Sequence, residues 1–252
     1  MDLTLPITGF FVGLLIGLTG MGGGALMTPF LIIVLGTRPL VAVGTDLVYG
    51  AVTKIAGAYL HWRQGTVDVK LALRLAKASV PGGLAAVLAL RLFPDAAEAD
   101  LAVRRVLGVA LICVAVLLVA RLRGSLPLPM PERWRVRLQG SGTYAVGGTV
   151  GALVGFTSVG SGSLLVPFLV SVFQLSAAQV VGTDVFHAAI LISATAAGHA
   201  QGGAVDWPLA GSLLIGSVPG VTLGSWMAPH LPSRALRAGL AGLLFLTGLN
   251  LL

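Results

Sequence analysis

Gly17-Leu-Thr-Gly-Met-Gly-Gly-Gly24 interrupts an apolar run that extends from Leu5 to Leu35. A second interruption, Gly155-Phe-Thr-Ser-Val-Gly-Ser-Gly162, lies inside the run Ala145 to Phe173. Glycine at this density breaks a helix, because each residue costs about 1 kcal/mol relative to alanine. Backbone groups freed by such a break find no water in hydrocarbon. The broken segment therefore has to be buried in protein or line a polar cavity. Two breaks in matching positions are the pattern expected of a solute-binding site built from discontinuous helices.

Composition sets the surroundings of that site. The 252 residues are 56% hydrophobic and 10% charged, far more apolar than a soluble domain. Several windows of about 20 residues carry one charge or none, the length needed to span about 30 Å of hydrocarbon. The expectation is an all-α, multi-pass membrane protein. The single cysteine, Cys113, sits among Leu111, Ile112 and Val114. It excludes a disulfide framework and reads as an inert packing or lipid-facing thiol. A net charge of +7 raises nucleic acid as a partner, but the placement of charge argues against it. Fourteen of the sixteen basic residues precede Gln139, with Arg121, Arg123, Arg133, Arg135 and Arg137 the densest group. They flank a proline-rich stretch, Leu126-Pro-Leu-Pro-Met-Pro131, and read as a cytoplasmic loop obeying the positive-inside rule. The start of the chain lacks the basic segment of a signal peptide, so the first apolar run is expected to be retained.

The two breaks belong to a longer correspondence. Displaced by 138 positions, the sequence aligns with itself without gaps: Gly13 with Gly151, Thr19 with Thr157, and Gly22 and Gly24 with Gly160 and Gly162. Pro29-Phe-Leu31 matches Pro167-Phe-Leu169, and Val43-Gly-Thr-Asp46 matches Val181-Gly-Thr-Asp184. Register holds through His61/His199, Asp68/Asp206, Ser79-Val-Pro-Gly82/Ser217-Val-Pro-Gly220 and Pro94/Pro232. The chain reads as a tandem duplication: a first membrane repeat at 1–122, a basic linker at 123–138 and a second membrane repeat at 139–252. Each repeat is expected to hold one glycine-broken element and three spanning helices.

Drawn out straight at about 1.5 Å per residue, the first run would reach about 46 Å, too long for one upright crossing. It is a re-entrant hairpin of two half-helices or a steeply tilted broken helix. With hairpins, each repeat crosses the membrane an odd number of times and the second is inverted. The linker, the Arg63/Lys70 loop and the His230/Arg234/Arg237 loop then share the cytoplasmic side. With crossings, Arg234 and Arg237 fall outside without acidic neighbours, so charge favours inverted repeats.

Gly22-Gly23-Gly24 and Gly160-Ser161-Gly162 immediately precede apolar half-helices. A half-helix starting at the midplane presents unpaired N–H groups and a positive dipole end, and glycine lets an anion approach. The bland alternative is that these glycines merely permit tight helix crossing. Thr19, Thr157, Ser158 and Ser161 are candidate hydroxyl donors, and Thr45 and Thr183 either bind substrate or bond back to their own helices. Asp46 and Asp184 lie mid-span, where a carboxylate has to be paired, protonated or functional. His187, three residues beyond Asp184, shares its helical face and forms with it a candidate proton relay or a structural hydrogen bond. Lys54 is either a cation on an anion pathway or a snorkelling side chain, and His61 and His199 read as interfacial anchors like Trp62 and Trp207. No cluster has metal-ligand spacing, and no cofactor is expected. Gly160-Ser-Gly-Ser163 with His187 or His199 is a remote candidate for an intramembrane serine hydrolase. The first repeat, however, carries Gly22-Gly-Gly-Ala25 at the same place.

Gly20-Met-Gly-Gly-Gly-Ala-Leu-Met-Thr-Pro29, its copy Gly160-Ser-Gly-Ser-Leu-Leu-Val-Pro167, and Pro81-Gly and Pro219-Gly in the third spans resemble the TauE/SafE sulfite exporter family over essentially the whole chain. The resemblance implies movement of sulfur-containing anions (sulfite, sulfonates or thiosulfate) across a prokaryotic inner membrane, with the glycine breaks holding the anion. Asp46 and Asp184 stand where many members have an uncharged residue. The expected protein is a secondary anion transporter, not an enzyme, with protons as a candidate coupling ion. A passive anion or small-solute channel is the alternative, and the sequence leaves monomer and homodimer both open.

Overall fold

The computed structural model describes residues 4–19, 23–123, 131–173, 175–227 and 233–252; for Thr19, Arg121 and residues 233–237 it describes the backbone alone. The described residues form eleven α-helices: α1 (Thr4–Thr19), α2 (Gly24–Ile33), α3 (Pro39–Arg63), α4 (Val69–Leu90), α5 (Ala96–Leu122), α6 (Glu132–Arg137), α7 (Thr143–Thr157), α8 (Ser161–Phe173), α9 (Ala177–Gln201), α10 (Trp207–Met227) and α11 (Ser233–Leu251). A wider π-helical turn, Leu138–Gly142, kinks at Gly140 and joins α6 to α7. Five of these, α3, α4, α5, α9 and α10, are long and apolar enough to cross a membrane, whereas α1, α2 and α8 are shorter. The chain is an all-α, multi-pass membrane protein.

Local sequence sets the boundaries. Pro39 opens α3, where its missing N–H and fixed φ are tolerated. Asp68 caps α4 by accepting from the Leu71 N–H at 3.0 Å, and Asp206 caps α10 through the Leu209 N–H at 2.9 Å. Ser176 and Gln179 form a capping box at the start of α9. The α3 and α9 boundaries coincide after displacement by 138 residues (39 to 177, 63 to 201).

Small residues allow the helices to approach closely. Lipid supplies little hydrophobic drive for helix association, so backbone contact and van der Waals packing dominate. Gly9, Gly13 and Gly17 of α1 lie in order against the backbone of Leu213, Ser217 and Val221 of α10, so the two helices run parallel. Gly147, Gly151 and Gly155 of α7 lie in the same way against Leu75, Ser79 and Gly83 of α4. Each contact is the other displaced by 138 residues with the halves exchanged. At Gly13 a Cβ would come within 2.6 Å of the Ser217 carbonyl oxygen, and at Gly151 it would overlap that of Ser79. The fourfold spacing keeps the glycines on one stripe of each helix.

Two other pairings run antiparallel. In α3 and α9, Gly57 meets Val185 at one end while Gly44 meets His199 and Ala204 at the other. In α5 and α11, Gly108 packs on Gly248, and Arg104 donates to the carbonyls of Asn250 and Leu251. The loops are tied reciprocally: Thr183 accepts from the Asp68 N–H and Thr45 from the Asp206 N–H, both at 3.0 Å.

The arms of each broken element fold back on each other. Gln139, just before α7, donates from Nε2 to the Val172 carbonyl at the end of α8, at 2.9 Å. Likewise Val12 and Leu15 of α1 share one groove with Pro29, Phe30 and Ile33 of α2. Buried Met27, Leu31, Leu107, Leu111, Leu213 and Leu244 fill the core beside the first hairpin. Trp62 and Trp207 face outward, and Cys113 is exposed on α5. His199 differs from the expected anchoring role: it is buried, with Nε2 at 2.8 Å from the Gly155 carbonyl. The close contact of Gly44 with the following loop at Ala204 draws this helix end inward.

A Gly151→Ala variant should be destabilised by about 1–3 kcal/mol through overpacking, whereas Gly239→Ala, with open space around its Cβ, should be neutral or slightly stabilising. Thermal melts of the detergent-solubilised protein, read by size-exclusion chromatography, distinguish the two. Equal melting temperatures would contradict the packing.

Candidate functional site

The N-terminal ends of α2 and α8 meet inside the fold. Both helices carry a proline near their middle, Pro29 and Pro167, and both begin at glycine-containing turns. Their first N–H groups have no helical acceptor. The turn into α8 has Ser158 at φ 64° and Gly160 at φ 128°. Ser158 caps α7 in the left-handed region and donates its N–H to the Val154 carbonyl at 2.7 Å. Gly24 abuts the Ser158 carbonyl so closely that any Cβ there would overlap it. The tip of one hairpin is thus seated on the other.

A single carboxylate ties both tips together. Asp46, on α3, is 1% exposed. Its Oδ2 accepts from Thr28 Oγ1 of α2 at 2.6 Å and from Ser158 Oγ at 2.7 Å. Its Oδ1 has no hydrogen-bond partner among the described residues. Charge-assisted hydrogen bonds of this kind contribute about twice what neutral ones do.

Between the tips lies a small cavity of about 30 Å³, with room for one or two water molecules. Gly23, Gly24 and Ala25 form one wall, and Gly160, Ser161, Gly162 and Ser163 the opposite one. Asp46, Thr53, Lys54 and Ser158 complete its polar lining. Lys54 is half-buried and interacts electrostatically with Asp184 and His187 across on α9.

Of the residues singled out from sequence, Gly23, Gly24, Asp46, Lys54, Ser158, Gly160, Ser161 and Gly162 surround this one cavity. Gly22 and His230 lie outside the described residues, as does the Thr19 side chain. Thr157 turns back to its own segment, donating to the Leu153 carbonyl at 2.7 Å and accepting from the Val159 N–H at 3.2 Å. Thr45 and Thr183 hold the loops described above. Asp184 is buried away from the cavity wall, and its Oδ1 lacks a partner among the described residues. His187 bonds through Nε2 to Ser79 Oγ at 2.8 Å, and its Nδ1 is without a partner there. With the rings of His187 and His199 engaged by Ser79 and Gly155, neither bonds Ser161 or Ser163 as a nucleophile's base would. Among the described residues no three His, Cys, Asp or Glu side chains gather as a metal cluster would require.

Sequence reading missed Thr28. A lone hydroxyl on an apolar half-helix was the available signal, but its counterpart in the second half is Val166, so the repeat hid it. It also missed Tyr49, which occupies the place of His187. Tyr49 faces Ser217 as His187 faces Ser79, without closing a hydrogen bond.

Long apolar helices, two pairs of half-helices ending inside the fold and a polar cavity between their N-terminal tips describe a polytopic membrane transporter. The chain belongs to the TauE/SafE sulfite exporter family: the model for "Sulfite exporter TauE/SafE" matches residues 5–251. It is 41% identical over 256 residues to the probable membrane transporter protein YjnA of Bacillus subtilis (strain 168), covering 100% of each chain. A probable membrane transporter protein of Xylella fastidiosa (strain 9a5c) is 29% identical over 88% of this chain and 82% of its own. The probable membrane transporter protein YdhB of Bacillus subtilis is 27% identical over 94% and 97%. No solved structure gives a significant match. The protein is therefore a membrane transporter and not an enzyme.

Ser158→Gly should remove one hydrogen bond to a charged group, worth about 1.5–3 kcal/mol, partly offset by relief of the left-handed strain that serine bears. Ser158→Ala should cost about 1–2 kcal/mol more, because alanine resists the left-handed conformation. Thermal melts of the purified variants should rank wild type, Gly, then Ala; an alanine variant as stable as the glycine one would contradict the geometry.

Proposed function

We propose that this chain is a secondary transporter of small sulfur-containing anions of the sulfite, sulfonate or thiosulfate class. The observation that carries this reading is the shared cavity, walled by the first turns of α2 and α8 with Lys54 beside it. The first-turn N–H groups of Gly24, Ala25, Ser161 and Gly162, with no acceptor within their own helices, and two positive dipole ends favour an oxyanion there. Ser161 adds a hydroxyl, whereas Ser158 is committed to Asp46 and Thr45, Thr157 and Thr183 support backbone.

The two halves are read as inverted repeats. The matched helix boundaries, the exchanged glycine contacts and the antiparallel α3/α9 and α5/α11 pairs support this. The broken elements are read as re-entrant hairpins whose tips reach the midplane. One face of the bundle then carries the linker with Arg63 and Lys70. The opposite face carries Arg38, paired with Asp100 at 2.9 Å, and the Arg91–Arg105 segment, whose arginines are balanced by Asp95, Glu98 and Asp100. By the positive-inside rule the linker face is cytoplasmic, in the inner membrane. Alternating access rocks one repeat against the other around the tips. A passive channel fits less well, because a buried carboxylate latches the tips over a cavity the size of one or two waters.

Uptake of labelled sulfite, thiosulfate and methanesulfonate into proteoliposomes tests the reading. A carrier saturates and shows counterflow, and Lys54→Gln should raise KM about tenfold, the loss of about 1.4 kcal/mol of binding. Non-saturating flux would favour the channel, and an unchanged KM would remove Lys54 from the site.

A further inference from the structure

The free oxygen of Asp46 has a consequence for what accompanies the anion. Resting on the reading of this cavity as the anion site, we propose that Asp46 Oδ1 and the bound oxyanion share one proton, so that each monoanion crosses together with a proton. Oδ2 is committed, since Thr28 and Ser158 both donate to it. Those two residues position the carboxylate and leave Oδ1 as its unpartnered oxygen, on a residue that forms part of the cavity wall.

An oxyanion held by the N–H groups of Gly24 and Ser161 lies next to this oxygen, because Asp46 and both tips line the same cavity and Oδ1 is beside Gly23. Two negative oxygens in contact away from water repel strongly. A proton between them removes the repulsion, as it does for paired carboxylates sharing one site. The proton arrives on the carboxylate or on the substrate, and the bound complex has the same composition either way.

The other groups around Asp46 do not take over this role. On α3 itself stand Tyr49 and Lys54. From α9, Asp184 and His187 interact electrostatically with Lys54, with no ion pair to it among the described residues. The tips of α2 and α8 contribute hydroxyls, namely Thr28, Ser158, Ser161 and Ser163. From α10 comes Ser217, facing Tyr49. α5 meets the first turn of α3, where Asp100 binds Arg38 and the Leu40 N–H. Asp184 has an unpartnered oxygen too, yet it lies off the cavity wall. The assignment therefore falls on Asp46.

The test uses the full-length protein in proteoliposomes with a luminal pH dye, and labelled methanesulfonate and thiosulfate, which carry no proton at neutral pH. In wild type, label entry should acidify the lumen, and an inward proton gradient should accumulate label. Methanesulfonate uptake should be unchanged when the membrane potential is clamped at zero or reversed. Asp46→Asn should still move label, but driven by the membrane potential and without luminal acidification. Asp46→Glu should restore proton movement, and Asp184→Asn should keep it. Label flux without acidification in wild type overturns the proposal while leaving the anion site standing. Coupling that survives in Asp46→Asn, or is lost in Asp184→Asn, overturns the assignment to Asp46. If neither anion moves in wild type, the transport reading falls and this inference with it. If Asp46→Asn does not fold, wild-type coupling together with the Asp184→Asn result decides the case.

Discussion

The first turns of α2 and α8 leave backbone N–H groups with neither a helical acceptor nor bulk water, and the rest of the structure accommodates that fact. A broken helix inside hydrocarbon survives only where its freed groups meet protein or a polar cavity. Here the breaks meet each other. Gly24 rests on the Ser158 carbonyl, and Asp46 accepts hydroxyls from both tips. The glycine stripes of α1 and α7 hold the hairpins in place by locking them against α10 and α4. The long helices α3 and α9, crossing antiparallel, bring Asp46 and Lys54 beneath the tips. The same contacts that stabilise the breaks also concentrate positive potential where an anion would sit.

Much of this was legible from residue order alone, for identifiable reasons. Glycine density marks a break whatever the tertiary context, and a 138-residue register identifies equivalent elements without coordinates. The caps at Asp68 and Asp206 follow from residue type. What sequence did not reveal depends on contacts between distant segments. Thr45 and Thr183 look like substrate ligands beside their aspartates, yet each accepts from a loop N–H more than 110 residues away. His199 looks interfacial by its place at a helix end but is drawn inward by packing. Length left the broken runs open between hairpin and tilted helix, and charge favoured the hairpin; the Gln139–Val172 hydrogen bond, between residues 33 apart, brings the two ends of the second run together.

The two halves correspond in backbone and diverge in chemistry. Position 46 is a carboxylate with two hydroxyl donors on Oδ2, and like Asp184 it leaves Oδ1 unpartnered among the described residues. Thr28 is paired with Val166, Tyr49 with His187, and Lys54 with Ile192. The cavity therefore takes its lysine and its hydroxyl-bound carboxylate from α3 alone, with none from the matching positions of α9.

The most direct measurement is the position of a heavy-atom oxyanion in the intact protein. Anomalous diffraction from crystals grown with selenite, a sulfite analogue whose selenium can be located, should show one peak between the two tips. That peak should lie within hydrogen-bonding distance of the N–H groups of Gly24 or Ala25 on one side and Ser161 or Gly162 on the other. A peak confined to the separate cavity lined by Arg91 and His199, or tips left empty at saturating selenite, would contradict the account.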